Sequence, residues 1–578
     1  MAQFNRFALV PVALLALSAC ATQAPSGASD QAAQTAAAGP PDGPSSVYGL
    51  YLAGEVALDS ADNKAAADLF DRAKDSSPDA AFLKEKVFTS ALLGGDLPRA
   101  AAAAPGPGEG SPINQELGVL ARAVDALAQG NGDRAYAALS APRPADAPSL
   151  PSIDLLKPWA AAAARRWPAA LSVPATDDRL SRLVGDLDQA MLFERAHRYG
   201  EAETAFKALL AQRSAQGLIG QAYGEFLERR GRRQDAVSLY NQLLTDDPQD
   251  TAAEAARARA VAKGRPPSQP TILEGAAQSL LIQAETQLAG KDSIGALEFL
   301  QMVLRLDPDK EEALLRAGDV LTAAGDSVSA RAFYARVGPK SPDYVDARTR
   351  LAWSYQADDK DTALKLARET VAARPGSDAA QLALAYLLRA DERYQESIKV
   401  LDPLIATPAG GANWQLYYMR AVALERSGRW PDAQRDLDKA LSLKPDEPEV
   451  LNYLGYSWVN RGERVKDGMA MIQKAVAAQP DEGAFVDSLG WAYYRLGDYT
   501  NAVETLEYAV MLEAGDAEIN DHLGDAYWRA GRRDEARFQW DAVLTMKPDP
   551  DVKARAEAKL ASPLGPDAAT QTAAVSNP

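Results

Sequence analysis

Few residues in this 578-residue chain could carry out catalysis or bind a transition metal. The chain has two histidines, His197 and His522, and one cysteine, Cys20. Zinc sites and Cys-His nucleophilic sites need several such side chains together. His522 lies beside Asp521 on a predicted helix and could act as a general base, but no nucleophile motif accompanies it, which favours a packing role. His197 lies near a predicted helix end, where a structural role is also favoured.

Other candidate motifs give no stronger indication of chemistry. Gly106, Gly108 and Gly110 form a glycine run without a preceding strand or a following Gly-Lys-Ser/Thr, so we interpret it as a loop. Carboxylates are abundant, which leaves a carboxylate-only metal site open, but none has calcium-loop spacing. No non-repetitive stretch is long enough for a catalytic domain. We therefore expect no enzymatic activity, no metal and no cofactor.

Composition predicts an all-α chain. The hydrophobic content is 47%, and apolar residues recur mostly at i, i+3 and i+4, whereas β-branched runs are scarce. The chain is too long for one compact core, yet its composition does not change abruptly, as in a repeat solenoid. The formal charge of −17 argues against a nucleic-acid surface and favours a basic or neutral protein partner.

The amino terminus has the pattern of a secretory signal. About eleven mostly apolar residues follow Arg6, and Leu17-Ser18-Ala19-Cys20 comes next. This tetrapeptide resembles the bacterial lipobox, which predicts a signal peptide over 1–19 and lipidation of Cys20. Ala21 follows where an aspartate is associated with inner-membrane retention, so the resemblance implies the periplasmic face of the outer membrane. The alternative is an ordinary secretory signal with an incidental cysteine. Residues 20–46 are almost all small or polar and predict a flexible tether.

One pattern recurs along most of the remaining chain. Gly490 and Gly524, Gly497 and Gly531, and Ala502 and Ala536 are each 34 residues apart. Bulky residues and a helix-ending proline, Pro548, keep fixed positions around them. This pattern resembles the tetratricopeptide repeat (TPR), which implies paired antiparallel helices stacked into a superhelical solenoid.

The repeats divide the chain into predicted segments. Degenerate repeats cover 47–140, a Pro-rich break covers 141–179, and further repeats cover 180–264. A hinge at 265–271 precedes the main array over 272–548, where small residues recur at 296, 330, 363, 397, 433, 468, 502 and 536. A capping helix over 549–562 would cover the last apolar face, and 563–578 is predicted to be disordered.

The resemblance also implies a ligand groove lined by the first helix of each pair. In TPR proteins the contacting positions lie about three residues before, one after and four after the recurring glycine. Here they are Asn452, Tyr456, Asp487, Trp491, Tyr494, Asp521, Asp525 and Trp528. We expect an acidic, aromatic groove for a basic or neutral segment, whereas the bland alternative is packing of the aromatics between repeats.

Lipobox, tether, interrupted repeats and the stretch from Leu454 to Gly497 together look like large bacterial outer-membrane TPR lipoproteins. Some of these are adaptors that deliver substrates, notably peptidoglycan hydrolases, to periplasmic carboxyl-terminal processing proteases. The resemblance implies a non-catalytic scaffold that binds envelope proteins. The alternative is an accessory factor for outer-membrane assembly or for export of protein, polysaccharide or pilus components. Self-association is compatible with either function.

Overall fold

The computed structural model describes residues 46–78, 80–142, 150–172, 178–212, 215–248 and 250–562. These residues form α-helices, one short 3-10 helix at Gly410–Ala412 and no β-strand, so the predicted all-α fold is confirmed. None of these helices is long and apolar enough to cross a bilayer. The predicted signal peptide 1–19, Cys20, all but the last residue of the tether 20–46 and the tail 563–578 lie outside the described residues.

The described residues divide into two compact units, which we call the first unit (46–374) and the second unit (375–562). The helices of the first unit are α1 (Val47–Asp59), α2 (Asn63–Ser76), α3 (Ala81–Leu93), α4 (Leu97–Ala103), α5 (Pro112–Ala128), α6 (Gly132–Leu139), α7 (Pro151–Ala163), α8 (Trp167–Ala170), α9 (Arg179–Arg195), α10 (Tyr199–Ala211), α11 (Gln216–Arg229), α12 (Arg233–Asp246), α13 (Thr251–Val261), α14 (Ile272–Ala289), α15 (Ser293–Leu306), α16 (Glu311–Ala323), α17 (Ser327–Tyr334), α18 (Tyr344–Ser354) and α19 (Lys360–Ala373). The helices of the second unit are α20 (Asp378–Ala390), α21 (Tyr394–Ile405), α22 (Trp414–Arg426), α23 (Trp430–Leu443), α24 (Pro448–Arg461), α25 (Val465–Ala478), α26 (Gly483–Arg495), α27 (Tyr499–Leu512), α28 (Ala517–Arg529), α29 (Arg533–Thr545) and α30 (Pro550–Ala561).

Successive helices pair as the repeat pattern predicts, and each pair has a first and a second helix. The recurring small residues at 296, 330, 363, 397, 433, 468, 502 and 536 are all buried on second helices. Opposite them, a Cβ at Gly490 would lie 2.5 Å from Leu506, and one at Gly524 would lie 2.5 Å from Trp540. Small residues therefore set the distance within a pair, and bulky ones fill the space beside the contact.

The turns within the pairs also follow the sequence. Gly497 and Gly531 have φ values of +80° and +85°, a left-handed conformation that glycine adopts without steric cost. Asp498 then caps α27, since its side chain accepts a hydrogen bond from the Asn501 backbone N–H.

In the first unit, a helix pair from the main array lies against the first helices of the amino-terminal pairs. Helix α15 contacts α3 and α5, and α14 contacts α7. Gln301 Nε2 donates a hydrogen bond to the Leu93 carbonyl at 2.9 Å, and Arg305 pairs with Asp125 at 2.9 Å. Of the 14 residues of α15, 11 are buried, whereas the equivalent helix α27 buries 4 of its 14. Helix α15 is therefore covered on nearly all sides.

Helices α9 to α13 form a separate cluster between these two parts of the first unit. Their apolar core is distinct from the one shared by α1–α8 and α14–α18, except that Leu192 of α9 belongs to the latter. Helix α13 covers the open face of the α11/α12 pair, where Arg259 Nη2 donates to Glu228 at 2.7 Å. Tyr240 Oη also donates to Glu228, at 2.9 Å. The chain thus inserts a capped set of repeats, which we call the inserted segment (179–261), into the larger stack.

Two predicted segments, the break and the hinge, flank the inserted segment. The interpretation of 141–179 as a helix-breaking stretch is wrong, because α7 and α8 lie within it. Pro151 occupies the first helical position, which lacks an intrahelical partner for N–H, and Pro158 lies inside α7 with Trp159 buried beside it. The hinge predicted at 265–271 is non-helical and runs along α9: Arg195 donates to the Pro270 carbonyl at 2.7 Å. Its motion stays a prediction.

A buried carboxyl group lies where α7, α9 and α14 meet. Ser279 Oγ donates a hydrogen bond to Asp188 at 2.7 Å, and both side chains are buried. Trp159 packs so close to α14 that a Cβ at Gly275 would lie 2.1 Å from its ring. Burial raises the pKa of Asp188 to about 8, although the hydrogen bond from Ser279 favours the ionised form. The junction therefore holds a protonated aspartic acid at neutral pH.

The junction should weaken as the pH rises. An unfolded aspartate has a pKa of about 3.9, so stability due to the raised pKa is complete below that value and lost as the pH approaches 8. The loss is at most about 1.4 kcal/mol per pH unit. Amide hydrogen exchange of α9 and α14, corrected for intrinsic pH dependence, should show progressively easier opening between about pH 4 and 8. Asp188→Asn should flatten this dependence, and Glu254→Gln, an exposed change on α13, should not.

Candidate functional site

The predicted groove residues lie on the first helices α24, α26 and α28 of the second unit. Helix α26 contacts both α24 and α28, and α28 in turn contacts α30. We call the surface formed by successive first helices the first-helix face. Asn452, Tyr456, Trp491, Tyr494 and Trp528 are half-buried on these helices, whereas Asp487, Asp521 and Asp525 are buried.

Asp521 and Asp525 lie beneath the terminal helix α30. Lys559 Nζ lies 2.8 Å from Asp521 and 2.7 Å from Asp525, and Arg555 Nε lies 3.2 Å from Asp521. Trp540 Nε1 donates a further hydrogen bond to Asp525 at 3.1 Å. Burial raises the pKa of Asp525, and the charge of Lys559 acts in the opposite direction. Helix α30 thus covers the last pair, as the predicted capping helix should.

Asp487 pairs with a histidine of the next repeat. His522 Nδ1 lies 2.9 Å from Asp487 Oδ1 and 3.0 Å from Oδ2, and both side chains are buried. Burial of the imidazole opposes its charged form, but the charge and hydrogen bonding of Asp487 outweigh it and raise the pKa of His522 above its ordinary value. The favoured packing role of His522 is thus an ion-paired contact between α26 and α28.

These contacts correct the expectation of an acidic groove. All three aspartates are used inside the folded chain: Asp487 for His522, and Asp521 and Asp525 for α30. A buried carboxylate needs such a partner because its desolvation is costly. The accessible part of the predicted row is therefore aromatic and amide, not acidic.

Trp491 lies at the centre of a stack of three rings. Its ring is stacked on Tyr494 at a centroid distance of 4.7 Å and on His522 at 4.2 Å. The alternative, packing of aromatics between repeats, therefore applies to the contact of Trp491 with His522 of the next repeat, whereas Tyr494 belongs to the same helix as Trp491. The Trp491 Nε1 and Asn452 Oδ1 atoms are nevertheless buried without a hydrogen-bond partner among the described residues. Such atoms cost about 1–3 kcal/mol each when left unsatisfied.

The aromatic row extends further along the first-helix face than the sequence indicated. Tyr418 of α22 packs edge-on against Tyr453 of α24 at 5.7 Å and lies 6.5 Å from Trp414, and all three are half-buried. Tyr418 lies 34 residues before Asn452 and so occupies the same repeat position. The recurring glycine is replaced there by Ala421, which is why a glycine-based assignment missed this repeat.

The other candidate residues form no recognisable active site. His197 Nδ1 lies 2.7 Å from Tyr199 Oη at an exposed turn. A cavity of about 180 Å³ beside the α7, α9 and α14 junction is lined by apolar side chains, two serines and a few other polar residues. Across the described ranges, no three His, Cys, Asp or Glu side chains group so as to hold a metal ion.

Removing the cation above the buried aspartates should loosen α30. Lys559→Met leaves Asp521 with Arg555 as its ion-pair partner and Asp525 with only the Trp540 hydrogen bond, and loss of one member of a buried pair costs about 3–5 kcal/mol. We expect faster amide exchange in α28 to α30 and a lower midpoint of thermal unfolding. Lys553→Met, an exposed change on the same helix, is the matched control, and equal protection in both variants would contradict the assignment.

Histidine NMR can test the Asp487 pair, because the chain has only two histidines. His522 should titrate above the ordinary histidine pKa, and Asp487→Asn should lower its pKa because it removes the largest interaction that opposes burial and leaves only the weaker effects of Glu518 and Asp521. The raised pKa means that the pair stabilises the fold at low pH and loses this contribution as the pH rises through the folded value. A His522 pKa that is unchanged by Asp487→Asn would contradict the pairing.

Comparison with known proteins supports the repeat assignment. The family model described as tetratricopeptide repeat matches residues 187–251, 354–412, 418–483 and 487–552. No curated protein matches the chain. Among solved structures, the APC/C hetero-tetramer Cut9-Hcn1 is 14% identical and covers 89% of this chain and 96% of its own, with a TM-score of 0.38.

Two smaller solved proteins are also similar. A tetratricopeptide repeat protein from Parabacteroides merdae is 12% identical, covers 49% of this chain and 97% of its own, and has a TM-score of 0.32. YrrB, described as a TPR protein with an unusual peptide-binding site, is 16% identical, covers 33% and 97%, and has a TM-score of 0.26. These TM-scores support no detailed superposition. The family model, the paired helices and the 34-residue period agree, and over the four matched stretches the chain carries tetratricopeptide repeats.

Proposed function

We propose that this protein is a non-catalytic scaffold that binds another protein on the first-helix face of its second unit. Tetratricopeptide repeats are in general protein-binding modules, and the matched stretches cover most of this unit. The observation that carries the proposal is the contrast between the two units. Helices α14 and α15 pack against the first helices α3, α5 and α7 and cover their faces. Among the described helices of the second unit, none packs in this way across α20, α22, α24 and α26.

The exposed chemistry of this face favours a neutral partner segment. Tyr418, Tyr456 and Tyr494 present half-buried aromatic surface, which suits aliphatic or aromatic side chains. Asn452 Oδ1 and Trp491 Nε1 could be satisfied by the N–H and C=O groups of a bound backbone after a small local movement. The basic partner considered from the sequence has no such support, because the aspartates that would attract it are already paired.

The finer proposal is an adaptor anchored to the periplasmic face of the outer membrane through lipidated Cys20. It rests on the Leu17-Ser18-Ala19-Cys20 motif and on the resemblance of the repeats to lipoproteins that serve carboxyl-terminal processing proteases. In this function the second unit holds a protease or its substrate, such as a peptidoglycan hydrolase. The tether over 20–46 would keep the repeats near the membrane and raise their effective concentration towards envelope partners.

Affinity purification from detergent-solubilised envelopes tests both levels of the proposal. Asn452→Ala/Tyr494→Ala should reduce recovery of a direct partner at least tenfold, about 1.4 kcal/mol or more, because it removes an amide and a half-buried aromatic ring. The matched control is Met511→Ser/Phe538→Ser, which changes two exposed apolar residues on the second helices α27 and α29. Equal recovery with both variants would remove the first-helix face as the site.

The identity of the partner decides between the finer functions. Recovery of a processing protease and cell-wall hydrolases would support the adaptor. Recovery of barrel-assembly, secretin or polysaccharide-export components would favour the accessory factor for assembly or export. The intact mass of the envelope protein tests the anchor separately, since lipidation adds acyl chains at Cys20.

A further inference from the structure

The first helix of the stack has an apolar side that no other described helix covers. Tyr48, Leu52 and Val56 lie at i, i+4 and i+8 on α1 and are 71%, 45% and 64% exposed. On the neighbouring helix α3, Phe82 is 55% exposed, and its ring lies 5.8 Å from that of Tyr51. We call Tyr48, Leu52, Val56 and Phe82 the amino-terminal apolar patch.

Helix α1 contributes little charge to this patch. Glu55 is the only charged residue between Val47 and Leu58, and it pairs with Lys86 at 2.7 Å. The chain as a whole carries a formal charge of −17, so an uncharged apolar patch is unusual on its surface. A patch of this kind favours an uncharged or weakly charged contact rather than an ion-paired one.

The preceding segment does not have the side chains to cover the patch. Residues 22–46 contain no Leu, Ile, Val, Met, Phe, Tyr or Trp. The opposite end of the chain differs, because α30 covers the last repeat with its own buried residues Val552 and Ala556. A cover for α1 must therefore come from outside this part of the chain.

We propose that the amino-terminal apolar patch lies on the phospholipid surface, with Tyr48, Leu52 and Val56 at the boundary between headgroups and acyl chains. The inference rests on the proposed anchor at Cys20. The 25 residues between Cys20 and Ser46 are predicted from their composition to form a tether, and a random coil of that length has an r.m.s. end-to-end distance of about 30 Å. Such a tether therefore holds α1 within reach of the bilayer, where a weak interfacial affinity is sufficient for docking.

Docking at α1 would orient the stack as well as anchor it. A tether alone lets the repeats rotate freely above the membrane, whereas contact through one helix face fixes the direction in which the first unit leaves the surface. Tyrosine suits this position because its ring is apolar and its hydroxyl can remain among the headgroups.

In the test, the protein is attached to lipid chemically, so that the outcome does not depend on native lipidation. Cys20 is the only cysteine, so the full mature chain can be coupled there to a maleimide lipid in vesicles of phosphatidylethanolamine and phosphatidylglycerol. The vesicles also contain a lipid with a photoactivatable diazirine on its acyl chain. Mass spectrometry of the photolabelled protein then identifies the peptides that touch lipid.

We expect the peptide 47–59 to carry the strongest label in the wild type. Tyr48→Ser/Leu52→Ser/Val56→Ser should lower this label at least fivefold. The matched control, Met511→Ser/Phe538→Ser, changes side chains that are 79% and 71% exposed on the second unit and should leave the label unchanged. Should the triple variant fail to fold, the labelling map of the wild type still decides.

Two results would overturn the proposal. One is a wild-type map in which 47–59 is labelled no more than other exposed helices. The other is concentration-dependent cross-linking of two chains through α1, which would make a second copy of the protein the cover. Absence of native lipidation at Cys20, seen in the intact mass of the envelope protein, would instead count against the proposed anchor.

Discussion

A pair of antiparallel helices buries only one of its sides, and the remaining apolar side must be covered by another helix. In this chain the cover is usually the next repeat, as when α26 packs between α24 and α28. Where the order of repeats is interrupted, the chain supplies another helix: α13 covers the inserted segment, α30 covers the last repeat, and α14 and α15 cover the amino-terminal first helices. In the first unit α14 and α15 cover the amino-terminal first helices, and in the second unit α30 covers the last repeat. Both arrangements meet the requirement that an exposed apolar side be covered.

Three of the covering helices form buried ion pairs with the helices beneath them. Helices α13, α15 and α30 each place a cation on a buried carboxylate of the helix that they cover: Arg259 on Glu228, Arg305 on Asp125, and Lys559 on Asp521 and Asp525. Apolar contacts alone would allow the covering helix to slide by one turn, or to rotate, against the helix beneath it. A buried ion pair is costly when misaligned, because it leaves a desolvated charge without a partner. We infer that the apolar contacts supply most of the adhesion and that the ion pairs select the register.

Local periodicity made much of the fold predictable. The small residues from Ala296 to Ala536 recur with a period close to 34, and each is buried where the pattern places it. These features follow from contacts inside one repeat or between adjacent repeats, so they leave a regular trace in the sequence. The same reasoning placed the turn glycines Gly497 and Gly531 in the left-handed region.

Contacts between distant parts of the chain leave no such trace. Gln301 and Leu93 are 208 residues apart, and nothing in either local pattern shows that α15 lies against α3. Prolines were also misleading in α7, because Pro151 is compatible with the first helical turn and Pro158 is retained inside the helix. For the candidate site, the repeat positions were predictable, but the partners of Asp487, Asp521 and Asp525 were not. Those partners depend on His522, Arg555 and Lys559, which lie outside the repeat that contributes each aspartate.

The helices that already cover apolar faces also limit where a partner can bind. Binding at the first-helix face of α3 and α5 would require displacement of α15, whose 11 buried residues would be exposed to water, and binding at α7 would require displacement of α14. At about 0.8 kcal/mol per buried CH₂ group, exposing even two of the leucines of α15 costs several kcal/mol. The half-buried aromatics of the second unit carry no such cost, since no described helix of that unit must leave them first. For the proposed scaffold function, the chain's need to cover its own apolar sides thus favours binding at the face that it has left only partly covered.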